Sequence, residues 1–438
     1  MRRMRWLPIA AAAGLGAAAI ALAVGQGGSV TQAAAKPRQP SCFWVGPFTT
    51  KRFNYAFPDS GAAYWTARYT TPPGATLRLE GRFAHARYQS LSSYGSATKG
   101  AVDSLNDIST RPDRGSKNPY KLGADRTVKR RSYKATVSTD PPPADPAQRI
   151  PNTLYAGAGR SDQELIYRLY VPDRGRNVTG GVGLPIPVLT LADGTVLRGA
   201  ALCATVGSAG NLLEPSFLPL ATYLSLRDQP GKPPTFPASN PPKFGAFYST
   251  AYTISCIYQG VCDPHPARSG GQYSNLDNQY VGSYLNREFG PVLVFTGKMP
   301  KTPRTHSGEG RMGKGQLRYW SMCQNESLYT TAGAGCLYDE QVPLTRHRRY
   351  TIVTSRTSDR PKNARKRCGV GFIPWPANGD GAGHPDDALL LVRNMLPSPG
   401  FHRAVQDTRV PGDERAVMGP YLPTGTYMTK RQFEARGC

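Results

Sequence analysis

The sequence predicts a mainly β protein, built from two pseudo-symmetric antiparallel β-sandwich modules of jelly-roll type and ending in a short helix. Three observations favour this fold class. The 438 residues include 47 glycines and 40 prolines, which indicate many turns and few long helices. The segments between these turns are short and rich in Val, Ile, Tyr and Thr, as is typical of strands. One order of such segments occurs twice along the chain.

The two copies of the repeat match segment by segment. Each copy has an alternating aromatic segment, a strand that runs into a glycine, an Arg-Tyr strand and a late apolar strand that ends in proline. The matched segments are Ala63–Trp65 with Gln279–Val281, Thr76–Phe83 with Val292–Met299, Arg87–Leu91 with Arg318–Met322, and Leu165–Pro172 with Leu390–Pro397. Matches that keep the same order indicate an internal duplication.

The length of the chain exceeds the usual size of one domain, so two packed modules are expected. Six prolines from Pro230 to Pro242 cannot donate a ladder of hydrogen bonds, and they indicate a junction. A capping box from Thr429 to Gln432 predicts the C-terminal helix. The predicted organisation is a signal peptide over 1–35, a first module over 42–205, a junction over 206–244, a second module over 245–410 and a tail over 411–438.

The N-terminus has the pattern of a secretory signal. Three arginines, Arg2, Arg3 and Arg5, precede an apolar run from Leu7 to Val24, and three alanines end at Ala35. This pattern predicts a secreted or cell-wall-associated protein with no transmembrane helix in the mature chain. An uncleaved membrane anchor is the alternative, because the apolar run is nearly long enough to span a bilayer. Both the general and the twin-arginine export routes stay open.

Eight cysteines follow the signal, and an even number in an exported chain predicts disulfides. Two pairs are close in sequence, so we expect Cys256 to bond to Cys262 and Cys323 to Cys336. No Cys-x-x-Cys pair and no histidine at ligand spacing accompanies them, so we predict no metal site. The full set is Cys42, Cys203, Cys256, Cys262, Cys323, Cys336, Cys368 and Cys438.

Positive charge dominates the mature chain and predicts an anionic partner. Residues 1–35 hold three of the 54 Lys and Arg, so 51 basic residues face 29 acidic ones and the net charge is +22. Such a charge attracts polyanions, for example an anionic cell-wall polymer or glycan. No nucleic-acid-binding motif accompanies it, so we predict no specific nucleic-acid binding.

The second copy alone carries a basic, glycine-rich insertion between Gly297 and Arg318, which we interpret as a flexible loop. Function often resides on such loops when a rigid sheet presents them. The predicted ligand-binding residues are Lys298, Lys301, Arg304, Arg311 and Lys314. We therefore predict non-catalytic binding of a cell-envelope glycan or other polyanion.

A secreted glycan-active enzyme, either a hydrolase or a lyase, is the alternative function. Its candidate catalytic groups are Glu326, Asp339 and Glu340, because paired carboxylates beside stacking aromatic residues suit glycan cleavage. The structural alternative for these acids is a charged strand edge or salt bridges to nearby arginines. For the repeated arginines we expect structural ion pairs within each module. These pairs are Arg87 with Asp59 and Arg318 with Asp277.

Common catalytic and cofactor motifs are missing or misplaced. Neither G-x-S-x-G nor H-E-x-x-H occurs in the chain. The glycines at 308, 310 and 313 spell G-x-G-x-x-G, but the pattern leads toward a predicted strand where a dinucleotide site needs a helix. Asn378–Asp380 with Asp386 and Asp387 offers oxygen ligands for Ca²⁺, and we interpret it as a turn. We expect no cofactor, and the sequence leaves open whether the protein is an enzyme and what its oligomeric state is.

Four motifs of the first copy occur in one order: Arg87-Tyr88, Asn118-Pro119-Tyr120, Pro151-Asn152 and the strand Arg168–Pro172. With these motifs the first copy resembles a bacterial β-sandwich domain family of unknown function. The whole mature chain also resembles uncharacterised secreted proteins of high-GC Gram-positive bacteria. These resemblances imply a β-sandwich fold and an exported protein, and they imply no particular activity.

Overall fold

The computed structural model describes residues 42–157, 159–208 and 218–438, and the predicted signal peptide lies outside them. These described residues form one compact unit that contains both copies of the repeat. Within the described residues, no helix combines the length and the apolar character that crossing a bilayer requires. The protein is mainly β, as the sequence predicts.

The first half forms two sheets in the order β1-β2-β8-β4-β5 and β10-β9-β3-β6-β7. Its strands are β1 (Val45–Phe48), β2 (Ala62–Tyr69), β3 (Thr76–Arg82), β4 (Ala86–Tyr94), β5 (Ala101–Asn106), β6 (Ser132–Ser138), β7 (Thr153–Tyr155), β8 (Gln163–Pro172), β9 (Ile186–Thr190) and β10 (Val196–Leu197). All pairs are antiparallel except β6 with β7, which are parallel.

The second half repeats this topology with sheets β11-β12-β18-β14-β15 and β17-β16-β13-β19. Its strands are β11 (Gly245–Ala246), β12 (Asn278–Asn286), β13 (Val292–Lys298), β14 (Leu317–Asn325), β15 (Gly333–Tyr338), β16 (Arg349–Ser355), β17 (Val370–Pro374), β18 (Asp387–Pro397) and β19 (Thr424–Met428). The parallel pair recurs as β16 with β17. Strand β19 lies in the segment 411–438, so that segment completes a sheet of the second half.

The pairing of strands shows which residues of the two copies are equivalent. Gly81 lies opposite Tyr133, and Gly297 lies opposite Tyr350, at the same end of the corresponding strands. Each tyrosine ring covers its glycine so closely that an added Cβ would lie 2.4 Å from a ring or hydroxyl atom. The predicted correspondence between the two strands is therefore confirmed.

Helices are short and lie mainly between and after the two halves. They are α1 (Gly199–Val206), α2 (Leu220–Arg227), α3 (Thr250–Thr253, continued by a π turn over Ile254–Tyr258), α4 (Glu414–Met418) and α5 (Lys430–Glu434). Single 3₁₀ turns occur at Pro146–Gln148, Arg287–Phe289, Lys366–Cys368, Val405–Asp407 and Gly419–Tyr421. Helix α5 begins with the predicted capping box, in which Thr429 and Gln432 bond reciprocally.

Apolar clusters stabilise each half and the contact between the halves. Each half encloses a core between its two sheets, centred on residues such as Leu79 in the first and Phe295 in the second. A third cluster lies between the halves and includes Tyr88, Tyr170 and Tyr319. Aromatic residues at the matched positions 88 and 319 thus pack across the contact between the copies.

Four disulfides join all eight cysteines, and no described cysteine is free. The two predicted local pairs, Cys256–Cys262 and Cys323–Cys336, are confirmed. The other bonds join Cys42 to Cys203, which attaches α1 to the start of the first half, and Cys368 to Cys438. The last bond ties the end of the chain beside α5 to the second sandwich.

We predict that Gly81→Ala and Gly297→Ala destabilise the protein by similar amounts, about 1–3 kcal/mol each, because the new methyl group would displace a packed tyrosine ring. Gly310→Ala is the control, because its Cβ would meet nothing within 4 Å. Denaturant unfolding with the disulfides intact measures the difference. Clearly unequal losses at the two repeat positions would contradict the structural equivalence.

Candidate functional site

The basic insertion forms a strap, residues 299–316, that is docked on the first half. The N–H of Met312 donates to the Ala124 carbonyl and the N–H of Gly123 donates to the Met312 carbonyl, each at 2.9 Å. The Met312 side chain is 2% exposed and belongs to the core of the first sandwich. The prediction of a flexible loop is therefore wrong, because the strap gains backbone hydrogen bonds and apolar burial from a partner distant in sequence.

The predicted ligand-binding residues mostly lie on the outside of the strap. Lys301, Arg304, Arg311 and Lys314 are exposed. Lys298 precedes the strap and is half-buried, with its ammonium 5.5 Å from the centre of the Tyr421 ring. The structure thus presents four of the five cations to solvent on a backbone that is held in place.

Two further segments of the first half meet the strap and extend its positive surface. The Arg126 N–H in segment 117–130 donates to Gly310, and the Arg174 N–H in segment 173–176 donates to His306. We call the exposed side chains of these three segments the basic face. Ten exposed cations form it: Lys117, Lys121, Lys129, Arg130, Arg174, Arg176, Lys301, Arg304, Arg311 and Lys314. In the same segments, Asp125 is the one exposed carboxylate.

His85 lies next to segment 173–180, because its N–H donates to the Gly180 carbonyl. Burial, followed by the charges of Arg131, Arg176, Arg126 and Arg82, lowers the pKa of His85 to about 4. The neutral imidazole is therefore favoured in the folded state. The nearby arginines act in the same direction as burial, which is the larger cause.

We predict that His85 contributes to stability above about pH 6.5 and that this contribution is lost as the pH falls toward about 4, because the unfolded chain then binds a proton that the folded chain excludes. His85→Gln should lose less stability over this range than the native protein. The exposed His402→Gln is the matched control. Unfolding titrations at several pH values test this, and identical pH profiles for native protein and His85→Gln would contradict it.

Two of the three candidate catalytic acids are held by an arginine from the other half of the molecule. Arg87 Nη1 lies 3.0 and 2.9 Å from the two carboxylate oxygens of Asp339, and its Nη2 binds Glu340. The side chains of Arg87 and Asp339 are 0% and 1% exposed. Trp320 N–H also donates to Asp339, at 3.1 Å. A glycan would not reach a carboxylate that is buried and bonded on both oxygens.

Glu340 lies at the edge of the same cluster. Burial alone would raise its pKa, but the Arg87 charge and hydrogen bonds from Ser307 and the backbone of His306 hold the pKa below its ordinary value. The His306 and Ser307 N–H groups each donate at 2.9 Å. Glu340 therefore anchors the strap to the hairpin of β14 and β15.

Glu326 lies far from the other two acids. Its N–H bonds to Ala332 at one end of the β14–β15 hairpin, whereas the Asp339 N–H bonds to Trp320 near the other end. Positions 320 and 326 are six steps apart along the chain, and six steps along a strand span about 20 Å. Paired glycosidase carboxylates stand about 5–10 Å apart, so the structure does not bring these acids together as such a pair.

The expected ion pairs within each module are wrong. Arg318 pairs with Asp107 at 3.3 Å, across the contact between halves. Asp59 accepts from Ser321 at 2.6 Å, and Asp277 accepts from the Tyr88 hydroxyl at 2.6 Å. The matched strands β4 and β14 face one another, so each arginine meets carboxylates of the opposite copy.

We predict that Arg87→Met lowers the free energy of unfolding by about 3–5 kcal/mol, because it leaves two buried carboxylates without a counter-charge. Adding Asp339→Asn and Glu340→Gln to this variant should recover part of the loss. Denaturant unfolding of the single and triple variants gives the comparison. A loss below about 1 kcal/mol, as for a surface ion pair, would show that the cluster contributes little.

Helix α2 is anchored by Asp380 and Asp387 of the predicted turn, a contact that the sequence analysis did not find. Tyr223 donates to Asp380 at 3.0 Å and Arg227 to Asp387 at 2.6 Å. His384 lies between Asp380 and Asp228, at 2.6 and 2.8 Å. Asp380, His384 and Asp387 could each offer a metal-ligand atom within 4.8 Å of the others.

The contacts of the Asp380, His384 and Asp387 cluster give it two structural roles: it anchors helix α2 and it forms a turn. Asp380 accepts the N–H groups of Ala382 and His384, at 2.8 and 3.0 Å, which is the predicted turn. Arg227 already supplies a positive charge to Asp387. The helix and the turn lie about 160 positions apart in sequence, so no local spacing could have revealed their contact.

A cavity of about 540 Å³ lies on the outer face of the sheet that contains β12 and β18. Tyr280, Gly282 and Tyr284 alternate along β12 and line it, whereas Val281 and Leu285 face the opposite side and belong to the core. This volume falls in the range of about 300–1,000 Å³ that is typical of small-molecule sites. A glycine inside a strand was the available sequence signal, because such glycines often mark a close approach.

Comparisons with known proteins add no name to these sites. No protein-family model matches the sequence, and no curated protein matches it. Among solved structures, an uncharacterised protein of Burkholderia cenocepacia is similar with a TM-score of 0.47 and 11% identity, over 90% of this chain and 83% of that chain. A protein from Vibrio parahaemolyticus is similar with a TM-score of 0.40 and 10% identity, over 89% of this chain and 92% of that chain.

Proposed function

We propose that this is an exported, non-catalytic binding protein whose basic face captures an anionic polymer of the cell envelope. The observation that carries the proposal is the ratio of ten exposed cations to one exposed carboxylate on three adjoining segments. The net charge of +22 after residues 1–35 has the same sign. Four disulfides favour an oxidising compartment, which agrees with the signal-like N-terminus.

The docking of the strap makes the basic face suitable for such capture. Hydrogen bonds to segment 117–130 and burial of Met312 hold the strap backbone in place before any ligand arrives. A pre-ordered surface loses less conformational entropy on binding than a loop that must first become ordered. Several lysines and arginines along one surface also suit a polymer with repeated charges, because each contact raises the effective concentration of the next.

Glycan cleavage by the second half has less support. Asp339 is buried and bonded to Arg87, and Glu340 is bonded to Arg87 and the strap. Both acids therefore have structural partners that a catalytic role would have to displace. Binding uses only side chains that are already exposed.

A pull-down on purified envelope fractions at increasing salt tests the proposal. We expect retention to fall steeply with salt, because exposed charges interact only within a Debye length of about 8–10 Å near physiological ionic strength. The variant Lys301→Ala, Arg304→Ala, Arg311→Ala, Lys314→Ala should bind at least about tenfold more weakly, since it removes four charges from one surface.

The matched control removes four exposed cations that lie outside the basic face. It carries Lys51→Ala, Lys362→Ala, Lys366→Ala and Arg409→Ala, so both variants have the same net charge. If both variants bind equally weakly, net charge alone accounts for the loss of binding, and this would contradict a specific role of the basic face. If retention changes neither with the salt concentration nor with the strap substitutions, polyanion binding is rejected.

A further inference from the structure

Each half places one buried arginine at the same point of its central strand. Arg168 on β8 and Arg393 on β18 are each 2% exposed. Each lies between a tyrosine on one neighbouring strand and a serine on the other. Arg168 has Tyr64 and Ser90 as these neighbours, and Arg393 has Tyr280 and Ser321. Each guanidinium also donates to a backbone carbonyl of the other half, at Tyr273 for Arg168 and at Phe57 for Arg393. The two arginines are therefore structurally equivalent.

The counter-ions of the two arginines differ. Arg393 Nη1 lies 3.5 Å from Asp59 Oδ2, and both side chains are buried. The position equivalent to Asp59 is Asn275. Both residues lie five positions before the matched tyrosine, and both accept the N–H of the residue two positions later, at 2.8 Å for Asp59 and 3.1 Å for Asn275. Asparagine thus stands where the other copy has the carboxylate.

Hydrogen-bonding groups around Arg168 are left without partners as a result. Among the described residues, no hydrogen-bond partner is found for Arg168 Nη1, Asn275 Nδ2 or Thr66 Oγ1, all of them buried. In the other copy, Ser321 Oγ donates to Asp59 at 2.6 Å, whereas the equivalent Ser90 has no carboxylate to bind. Buried donors without acceptors are costly, so an anion at this place would stabilise the protein.

Space for such an anion exists beside these groups. Arg168, Thr66 and Asn275 line a cavity of about 60 Å³ between the halves. This volume exceeds the roughly 10–15 Å³ that one water needs. The same small cavity shares Ala56, Phe57, Tyr273 and Tyr280 with the 540 Å³ cavity, so the two adjoin. A small cavity with three polar groups on its wall thus borders a large apolar one.

Two glycines on neighbouring strands form part of the lining of the large cavity. Gly245 on β11 and Gly282 on β12 are direct cross-strand partners. A Cβ on Gly245 would meet nothing within 4 Å, so the space above it is open. Most of the surrounding wall is apolar and aromatic, and it includes Phe57, Phe244, Phe247, Tyr248, Tyr252, Tyr280, Tyr284, Leu389 and Leu391. The open space above Gly245 and the apolar walls suit a chain of methylene groups.

We propose that the two adjoining cavities form a binding site for an apolar carboxylate of the fatty-acid type. The carboxylate pairs with Arg168 and accepts from Asn275 and Thr66, and the alkyl chain lies over Gly245, beside Leu391. A carboxylate matches the fork of a guanidinium and restores the charge that Asp59 supplies in the other copy. The site is separate from the basic face, and its failure or success leaves the polyanion proposal unchanged.

Calorimetric titration with dodecanoate tests the charged end of the site. Asn275→Asp should weaken binding at least about tenfold, because an internal carboxylate then occupies the place of the ligand at Arg168. The control is Asn177→Asp, which adds the same charge at an exposed turn outside the site and should retain affinity within about threefold. If Asn275→Asp does not fold, Arg168→Met provides the same test. Equal affinity of the native protein and the variant at position 275 or 168 would overturn the pairing with Arg168.

Acetate and a cavity-filling variant test the apolar end. Dodecanoate should bind at least about tenfold more tightly than acetate, because only dodecanoate buries a chain. Gly245→Phe should remove this advantage, whereas Gly400→Phe, at another glycine with open space around it, should preserve it. Equal affinity for the two acids, or dodecanoate binding that survives Gly245→Phe, would overturn the assignment of the chain to the large cavity.

Discussion

Buried arginines that cross between the two halves determine how the rest of the molecule is arranged. Arg87 reaches Asp339 and Glu340 of the second half, and Arg318 reaches Asp107 of the first. A buried charge is tolerated only beside a partner, so these pairs allow one relative placement of the copies. The strap and the β14–β15 hairpin are then held by the same cluster. The contact resembles the isologous interface of a two-fold dimer, with both copies in one chain.

The two copies differ at the strap, at position 275 and at the large cavity. The strap occurs in the second copy only, and it places its cations against basic segments of the first. Asn275 replaces the carboxylate that Asp59 provides in the other copy, and the large cavity lies on the face of the β12–β18 sheet that points away from the core of the second copy. Shared positions such as Gly81 and Gly297 support the fold, whereas divergent positions supply the two anion-binding surfaces proposed above.

Charge has two physical roles in this protein. On the surface, lysines and arginines outnumber acids and remain solvated, so they act over a short, salt-dependent range. In the interior, arginines meet carboxylates, backbone carbonyls or aromatic rings, as Arg393 does with Asp59, Phe57 and the ring of Tyr280. Arg168 donates to the Tyr273 carbonyl and lies over the rings of Tyr64 and Tyr94, and no ion pair joins it to a carboxylate among the described residues. A high net charge therefore says little about which arginines are available to a ligand.

The sequence by itself determined the β class, the duplication, the two local disulfides and the C-terminal capping box, because each depends on spacing within one short segment or on order along the chain. Only the tertiary structure decided the partners of Arg87 and Arg318, the docking of the strap and the position of the cavities. Those contacts join residues that are far apart in sequence, as with Arg87 and Asp339. Alternation and composition carry no information about which distant face a strand will meet, so the partner of a buried charge becomes known only when both halves are in place.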